Sequence, residues 1–231
     1  MNSFVVFGYL ATFACGWLNV EIILKYAPFS ATHITGSLTR IPVNMLEGNW
    51  GMFFSLIGIV SAFIVGVAVS SFINPRGDGN FTRNFGIGYI IGASLLFIFT
   101  IVFGGSYMFV IFCSLFAGFQ NGFLSQFKLR VSHMSGVATD VGVELGRICK
   151  ESLKKKHPNK HSILKSYGAS IGMRILFIVV FVTGAFVGAV LTMNMHQIPV
   201  MLMLTLFDVI IAIYYLRICP RLRRGDEYEG V

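Results

Sequence analysis

The chain has 231 residues, 55% of them hydrophobic and only 12% charged, with a formal net charge of +8. A soluble domain carries about 25% charged residues, so the composition excludes an ordinary water-soluble enzyme or binding module and points to a polytopic membrane protein. The four cysteines, Cys15, Cys113, Cys149 and Cys219, show no Cys-x-x-Cys spacing and no metal-type cluster, which leaves free thiols as the expectation and acylation of Cys219 as the less favoured alternative.

Six apolar runs have the length of a membrane span: Phe4–Leu24, Met52–Ile73, Phe85–Phe103, Tyr107–Phe127, Gly168–Leu191 and Pro199–Ile218. Each is close to the ~20 residues a helix needs to cross a bilayer. The first run lacks a basic segment before it and already has spanning length, so it reads as a span and not as a cleaved leader. Its small and polar residues, Gly8, Thr12, Cys15, Gly16 and Asn19, recur at helical spacing and form a face that another helix can approach closely. Glu21 and Lys25 follow at a spacing that lets them pair, and Pro28 breaks the helix.

A short amphipathic segment comes next, from Ser30 to Glu47, with Ser30 or Thr32 as candidate cap. It opens with His33-Ile34-Thr35-Gly36-Ser37-Leu38-Thr39, and the pattern returns 100 positions later as His133-Met134-Ser135-Gly136-Val137-Ala138-Thr139. Both copies read His-x-(Thr/Ser)-Gly-x-x-Thr. Each follows a span bearing Gly and Asn, with Gly16 and Asn19 before the first and Gly118 and Asn121 before the second. Ile34, Leu38, Ile41 and Met45 make one stripe, and His33, Gly36, Arg40, Asn44 and Glu47 the other, which predicts a helix too short to span. Ala62, Gly66 and Ser70 in the second span, Gly88 and Gly92 in the third, and Gly184 and Gly188 in the fifth are small-residue stripes for helix packing. Asn74 to Gly79 reads as a turn, Gly104-Gly105-Ser106 as a tight turn between repeats, and Lys150 to Lys165 as a mobile basic loop.

The predicted architecture is an all-α integral membrane protein with six transmembrane helices in two inverted three-helix repeats. Each repeat has a short motif half-helix after its first span. The first repeat covers 1–105 with its motif helix at 30–47, the second 106–220 with its motif helix at 130–148, and 221–231 forms a tail. Three spans per repeat force the second repeat to enter the membrane from the opposite side. The alternative is a full crossing by both motif helices, which makes eight spans and parallel repeats. In the six-span topology, 15 Lys and Arg residues fall on one side and two, Lys25 and Arg40, on the other. That bias places both termini in the cytoplasm and disfavours eight spans. The basic loop lacks interleaved aromatics, so topology and anionic lipid explain it better than nucleic acid.

Chemistry-bearing residues fall in three groups. His33 and His133 occupy matched positions, where intramembrane histidines mark ion or proton routes or else satisfy a helix start. Thr35, Gly36, Ser135 and Gly136 resemble the start of a broken helix that binds a polar or anionic ligand, with ordinary capping the competing reading. Asn19, Asn121 and Gln120 are buried amides that serve either as interhelical bonds or as ligand contacts. Arg40 and Asp140 have equivalent positions and opposite charge, and a pairing across the repeat axis is expected if their helices meet. Arg174 either has a partner or snorkels to the surface, whereas mid-span Asp208, with Glu21 as a second carboxylate, is the coupling candidate. Catalytic signatures such as Gly-x-Ser-x-Gly, His-Glu-x-x-His and Walker motifs are absent. His157 and His161 flank Pro158, which argues against a preformed metal site.

Gly16, Asn19 and Val20, then Ile34, Thr35, Gly36 and Ser37, resemble the Gly-x-x-Asp-Ala and Met-Thr-Gly-Asn signatures of the YoaK family of bacterial six-helix membrane proteins. Gly118, Gln120, Asn121 and Gly122, then Ser135, Gly136 and Val137, are similar to that family's Gly-x-Gln-Asn-Ala and Thr-Gly-Thr. Asn19 stands where the family pattern has an acid, Ser37 where it has Asn, and the two histidines lie outside the pattern. The resemblance implies a bacterial inner-membrane protein and carries no activity with it. The reading that follows is a non-enzymatic secondary transporter or permease for a small polar solute or ion, with no cofactor and no nucleic-acid partner. The alternatives are a channel with re-entrant half-helices, a His-ligated haem or metal protein, and a scaffold whose repeats build a homodimer.

Overall fold

The computed structural model describes residues 3–26, 29–74, 81–125, 133–153 and 160–223. They form eight helices: α1 (Ser3–Tyr26), α2 (Ile34–Leu46), α3 (Trp50–Ile73), α4 (Arg83–Phe103), α5 (Tyr107–Ser125), α6 (Met134–Leu153), α7 (Lys160–Asn194) and α8 (Gln197–Arg223). Six of these, all but α2 and α6, are long and apolar enough to cross a membrane. The Pro28 break, residues 75–79 of the expected Asn74-to-Gly79 turn, residues 130–132 of the second motif segment, His157 and the tail beyond 223 lie outside the described residues.

The span boundaries expected from the apolar runs hold to within a few residues at most ends. The exception is the stretch from Lys150 to Lys165. Its two ends are helical, because α6 runs on to Leu153 and α7 starts at Lys160; the residues between, 154–159, lie outside the described residues. Lys and Leu are good helix formers, and the two adjoining helices extend into this stretch from both sides. The motif helices are also bounded differently, since α2 starts at Ile34 and not at Ser30. The α2–α3 connection closes on Gly48, whose φ of 69° is the left-handed conformation that suits glycine after a helix end. Asn49 then caps α3 by accepting from Met52 N–H at 3.3 Å.

Helices α1 and α5 form the centre. Most of their side chains are buried, whereas α3, α4, α7 and α8 expose large apolar residues such as Ile64, Phe72, Phe186 and Ile210. So many exposed large apolar side chains are unfavourable in water and suit lipid. The two central helices are antiparallel, because Tyr26 meets Phe109 at one end and Phe4 meets Phe123 at the other.

Every helix contact in one half has its counterpart in the other. α1 packs on α7 as α5 packs on α3; α2 lies on α3 as α6 lies on α7; α1 touches α8 as α5 touches α4. Glycine makes the two main crossings possible. A β-carbon on Gly16 would strike the Phe181 carbonyl, and one on Gly184 the Phe13 carbonyl. In the matching crossing, Gly118 meets the Phe63 carbonyl and Gly66 the Leu115 carbonyl. The small-residue stripes of the second and fifth spans are therefore backbone contact surfaces, as their spacing predicts.

Candidate functional site

The N-terminal ends of α2 and α6 face one cavity. His33 and Thr35 of the first copy and His133 and Ser135 of the second line one cavity of about 450 Å³, with Asn19 and Gly16 of α1 on its wall. Two motifs 100 residues apart are thus brought to one place. The segment leading into α2 sits beside Asn19, which lies seven residues before the end of α1, about 10 Å down the helix at 1.5 Å per residue. At 13 residues α2 is too short to span.

Asn19 holds that segment. Its Nδ2 donates to the Thr32 hydroxyl at 2.6 Å, and its Oδ1 accepts the Ser30 hydroxyl at 2.7 Å and the Thr32 N–H at 3.3 Å. Ser30 Oγ in turn accepts the His33 N–H at 3.3 Å. The residue at the cap position of α2 is His33, which makes no side-chain cap bond. Ser30 and Thr32 therefore do not cap the helix; they tie its approach to α1. In the second half Asn121 takes a similar place, with Nδ2 3.4 Å from His133 Nε2. Ser114 adds a tie that the sequence reading missed, by donating to the carbonyls of Ala31 at 3.0 Å and Ile59 at 2.9 Å. Its small hydroxyl was hidden in an apolar run.

Gly36 has a local reason to be glycine. The His33 imidazole folds back over it, and a β-carbon there would lie 2.6 Å from His33 Nε2. Thr39 and Thr139 return bonds within their own helices, to Gly36 O at 2.9 Å and Ser135 O at 2.9 Å. The Thr35 and Ser135 hydroxyls make no hydrogen bond among the described residues, and both residues line the cavity.

Gln120 belongs elsewhere. Its Nε2 donates to the Tyr89 hydroxyl at 2.6 Å and lies 3.4 Å from Asp208 Oδ1; Tyr89 donates to the same Oδ1 at 2.8 Å, and the Cys15 thiol reaches Gln120 Oε1 at 3.4 Å. All four side chains are buried, on α5, α4, α8 and α1. This polar cluster bonds four helices at the centre of the bundle. Tyr89 was missed, because one of eight tyrosines in a chain with 23 phenylalanines gives no spacing signal. Cys15 is next in the chain to Gly16, which lines the cavity, so the cluster adjoins the cavity along α1; Gln120 and Asn121 of α5 are not in the lining.

Two expected pairings are replaced. Asp140 pairs with Arg174, not with Arg40: Arg174 Nη1 lies 2.5 Å from Asp140 Oδ2, and Arg174 Nε lies 3.3 Å from Glu144 Oε1. Ser170 donates to Glu144 at 2.8 Å and completes the cluster. The reason is topological, since α6 packs on α7 and brings Asp140 and Glu144 over Arg174. Arg174 therefore has defined partners and does not merely snorkel. Glu21 is buried and accepts from the Thr192 hydroxyl, while Lys25 is exposed and forms no ion pair with it. The second Glu21 oxygen has no hydrogen-bond partner among the described residues.

Among the described residues no disulfide links the four cysteines, and Cys219 is buried. Among the described residues no group of three or more His, Cys, Asp or Glu side chains is placed to hold a metal ion. A family model described as "Protein of unknown function (DUF1275)" matches residues 7–214. No curated protein matches the chain, and no solved structure does.

Proposed function

The chain belongs to the DUF1275 family of proteins of unknown function, in keeping with its YoaK-like motifs, and we propose from its geometry that it is a small secondary transporter, not an enzyme, for a polar solute or ion. The observation that carries this reading is the single cavity shared by His33 and His133. Transporters built from inverted repeats bind substrate where two discontinuous helices meet between the halves. Antiparallel α1 and α5, the exchanged contacts of the two halves and the position of α2 beside Asn19 all support an inverted repeat with motif helices that re-enter. The charge bias supports termini in the cytoplasm of a bacterial inner membrane, with the Tyr26 end outside.

In this reading Thr35, Ser135 and the first turn of α2, which has no side-chain cap bond, contact the solute, and His33 and His133 gate it. Asn19 and Asn121 position the motif helices. Asp208, with its bonds to Tyr89 and Gln120, is the coupling group, because a mid-span carboxylate marks an ion path. The α1–α7 and α5–α3 pairs, each locked by glycine contacts, are the two units that rock against each other.

The meeting of two short helices also suits a pore, and conductance separates the two. The test is solute flux in proteoliposomes, with solutes chosen by ligand-induced thermal stabilisation of the detergent-purified protein. A saturable flux lost in the His33→Ala/His133→Ala double variant supports the carrier. Unitary currents in a planar bilayer support the pore, and flux that survives the double variant refutes both.

A further inference from the structure

Glu21 is buried in α1, where its Oε2 accepts the hydroxyl of Thr192 from α7. Its Oε1 is buried as well and has no hydrogen-bond partner among the described residues. One turn further along α1, Lys25 and Tyr26 line a second cavity of about 590 Å³, together with the Gly104–Tyr107 turn and Gln197. We propose that Glu21 is a proton-binding site loaded from this cavity, so that the carrier is driven by protons taken up at the Tyr26 end, which the charge bias assigns to the exterior. This site deepens the transporter reading, on which it rests, by naming the coupling ion. Glu21 is then the outer carboxyl and Asp208 the central one.

Packing gives no reason for a carboxyl here. Glu21 follows Asn19 by two residues, as Phe123 follows Asn121 in the matching half. Phe123 is fully buried and stacks on Phe85 with ring centroids 3.6 Å apart. Phe4 and Tyr215 also lie against Phe123. The same repeat position is therefore an aromatic seal at the Phe4 end and a carboxyl at the Tyr26 end. An ionised carboxylate in an apolar interior is costly unless a cation joins it. Lys25 is exposed and forms no ion pair with Glu21, so the unpartnered Oε1 is where another cation binds. Carboxyls inside a membrane bundle commonly mark proton relays.

The surroundings fit a proton better than a metal cation. A metal cation exchanges its hydration shell for several oxygen ligands, and at Glu21 the described residues add one hydroxyl. The cavity lining has no Asp or Glu and carries the Lys25 ammonium, which repels a metal ion. Its phenols, hydroxyl and amide, from Tyr26, Tyr107, Ser106 and Gln197, donate and accept hydrogen bonds and so suit proton passage. Tyr26 belongs to both places: its hydroxyl accepts from Gln197 Nε2 at 2.7 Å, and it lies within electrostatic reach of Glu21. The other titratable groups near Glu21 are Lys25 on its own helix and the Cys113 thiol of α5. From α7 comes Thr192, and the charged residues of α8 begin at Asp208, about 16 Å along the helix from Gln197. In the step itself a hydronium ion gives its proton to Oε1, forming an O–H bond and leaving water. That bond breaks when the proton returns to water later in the cycle.

The test is infrared difference spectroscopy of the full-length protein in proteoliposomes, stepped in pH at constant ionic strength. A carbonyl band of a protonated carboxyl should grow as pH falls and be lost in Glu21→Gln, which keeps an oxygen for Thr192. Asp208→Asn should leave that band in place, and Thr192→Val should move its midpoint without removing it. Gly105→Trp fills the cavity at a glycine whose β-carbon meets nothing within 4 Å, and should slow deuterium exchange of the band. Identical difference spectra for the unsubstituted protein and Glu21→Gln overturn the site. A midpoint displaced by Na+ overturns the proton in favour of a metal cation, and exchange unaffected by Gly105→Trp overturns the route. Solute flux under an imposed pH gradient separates the two readings. Flux at the full rate in Glu21→Gln removes the proton site while the transporter stands. A titrating Glu21 with no flux of any solute removes the transporter while the proton site stands.

Discussion

Asn19 donates its amide N–H to the hydroxyl of Thr32 at 2.6 Å across 13 residues of chain. With the two bonds that its carbonyl accepts, this side chain fixes where α2 begins. The arrangement also explains how Asn can stand where the YoaK pattern has an acid. A carboxylate could still accept from Ser30 and from the Thr32 N–H, and the Thr32 hydroxyl could reverse to become the donor. Asn19→Asp should therefore keep the fold, whereas Asn19→Leu leaves the Ser30 and Thr32 groups unsatisfied and should cost about 1–3 kcal/mol. Apparent Tm of the two variants in detergent checks the difference.

The glycine crossings predict a matched pair of effects. Gly16→Val and Gly118→Val place methyl groups against the Phe181 and Phe63 carbonyls, and backbone cannot yield as a side chain can. Each should destabilise by about 1–3 kcal/mol or more. Gly142→Ala, where a β-carbon meets nothing within 4 Å, should be neutral or slightly stabilising through helix propensity. Equal thermal stability of all three variants would contradict the packing.

Arg174 and Asp140 should couple energetically, and Arg40 and Asp140 should not. The Arg174–Asp140 side chains are about one-third exposed, at 29% and 32%, so a double-mutant cycle should give a modest coupling of about 1 kcal/mol. Asp140→Arg combined with Arg174→Asp should recover part of the stability that either change loses. The swap of Asp140 with Arg40 should recover none, as read by thermal unfolding in detergent.

At the bundle centre, Asp208→Asn keeps an oxygen for the Tyr89 hydroxyl and should preserve expression and Tm while abolishing coupled flux. Asp208→Leu removes the acceptor for both Tyr89 and Gln120 and should lower stability by about 1–3 kcal/mol. Flux by Asp208→Asn at the unsubstituted rate would remove Asp208 from the coupling role.

Much of this was legible in the chain. Runs of about 20 apolar residues are governed by local hydrophobicity, so the six spans could be read directly. The repeat was visible because His33–Thr39 and His133–Thr139 preserve a spacing, and residues of both copies line one cavity. Pairings between distant helices were not legible. Asp140 matched Arg40 by repeat position, but repeat symmetry relates residues without placing them in contact, and it is the α6–α7 packing that gives Asp140 to Arg174. Gln120 looked like a cavity residue beside Asn121. Neighbouring residues on a helix point about 100° apart, and Gln120 faces Tyr89 and Asp208 instead.

The central claim, that the two motifs form one solute site, is tested most directly by joining them. In a protein with Cys15, Cys113, Cys149 and Cys219 replaced, Thr35→Cys and Ser135→Cys are introduced together and treated with a short bifunctional thiol reagent in proteoliposomes. The account predicts an intramolecular cross-link that stops flux, reversed when the reagent is cleaved. A protein that does not cross-link, or one that carries solute equally well when cross-linked, would contradict it.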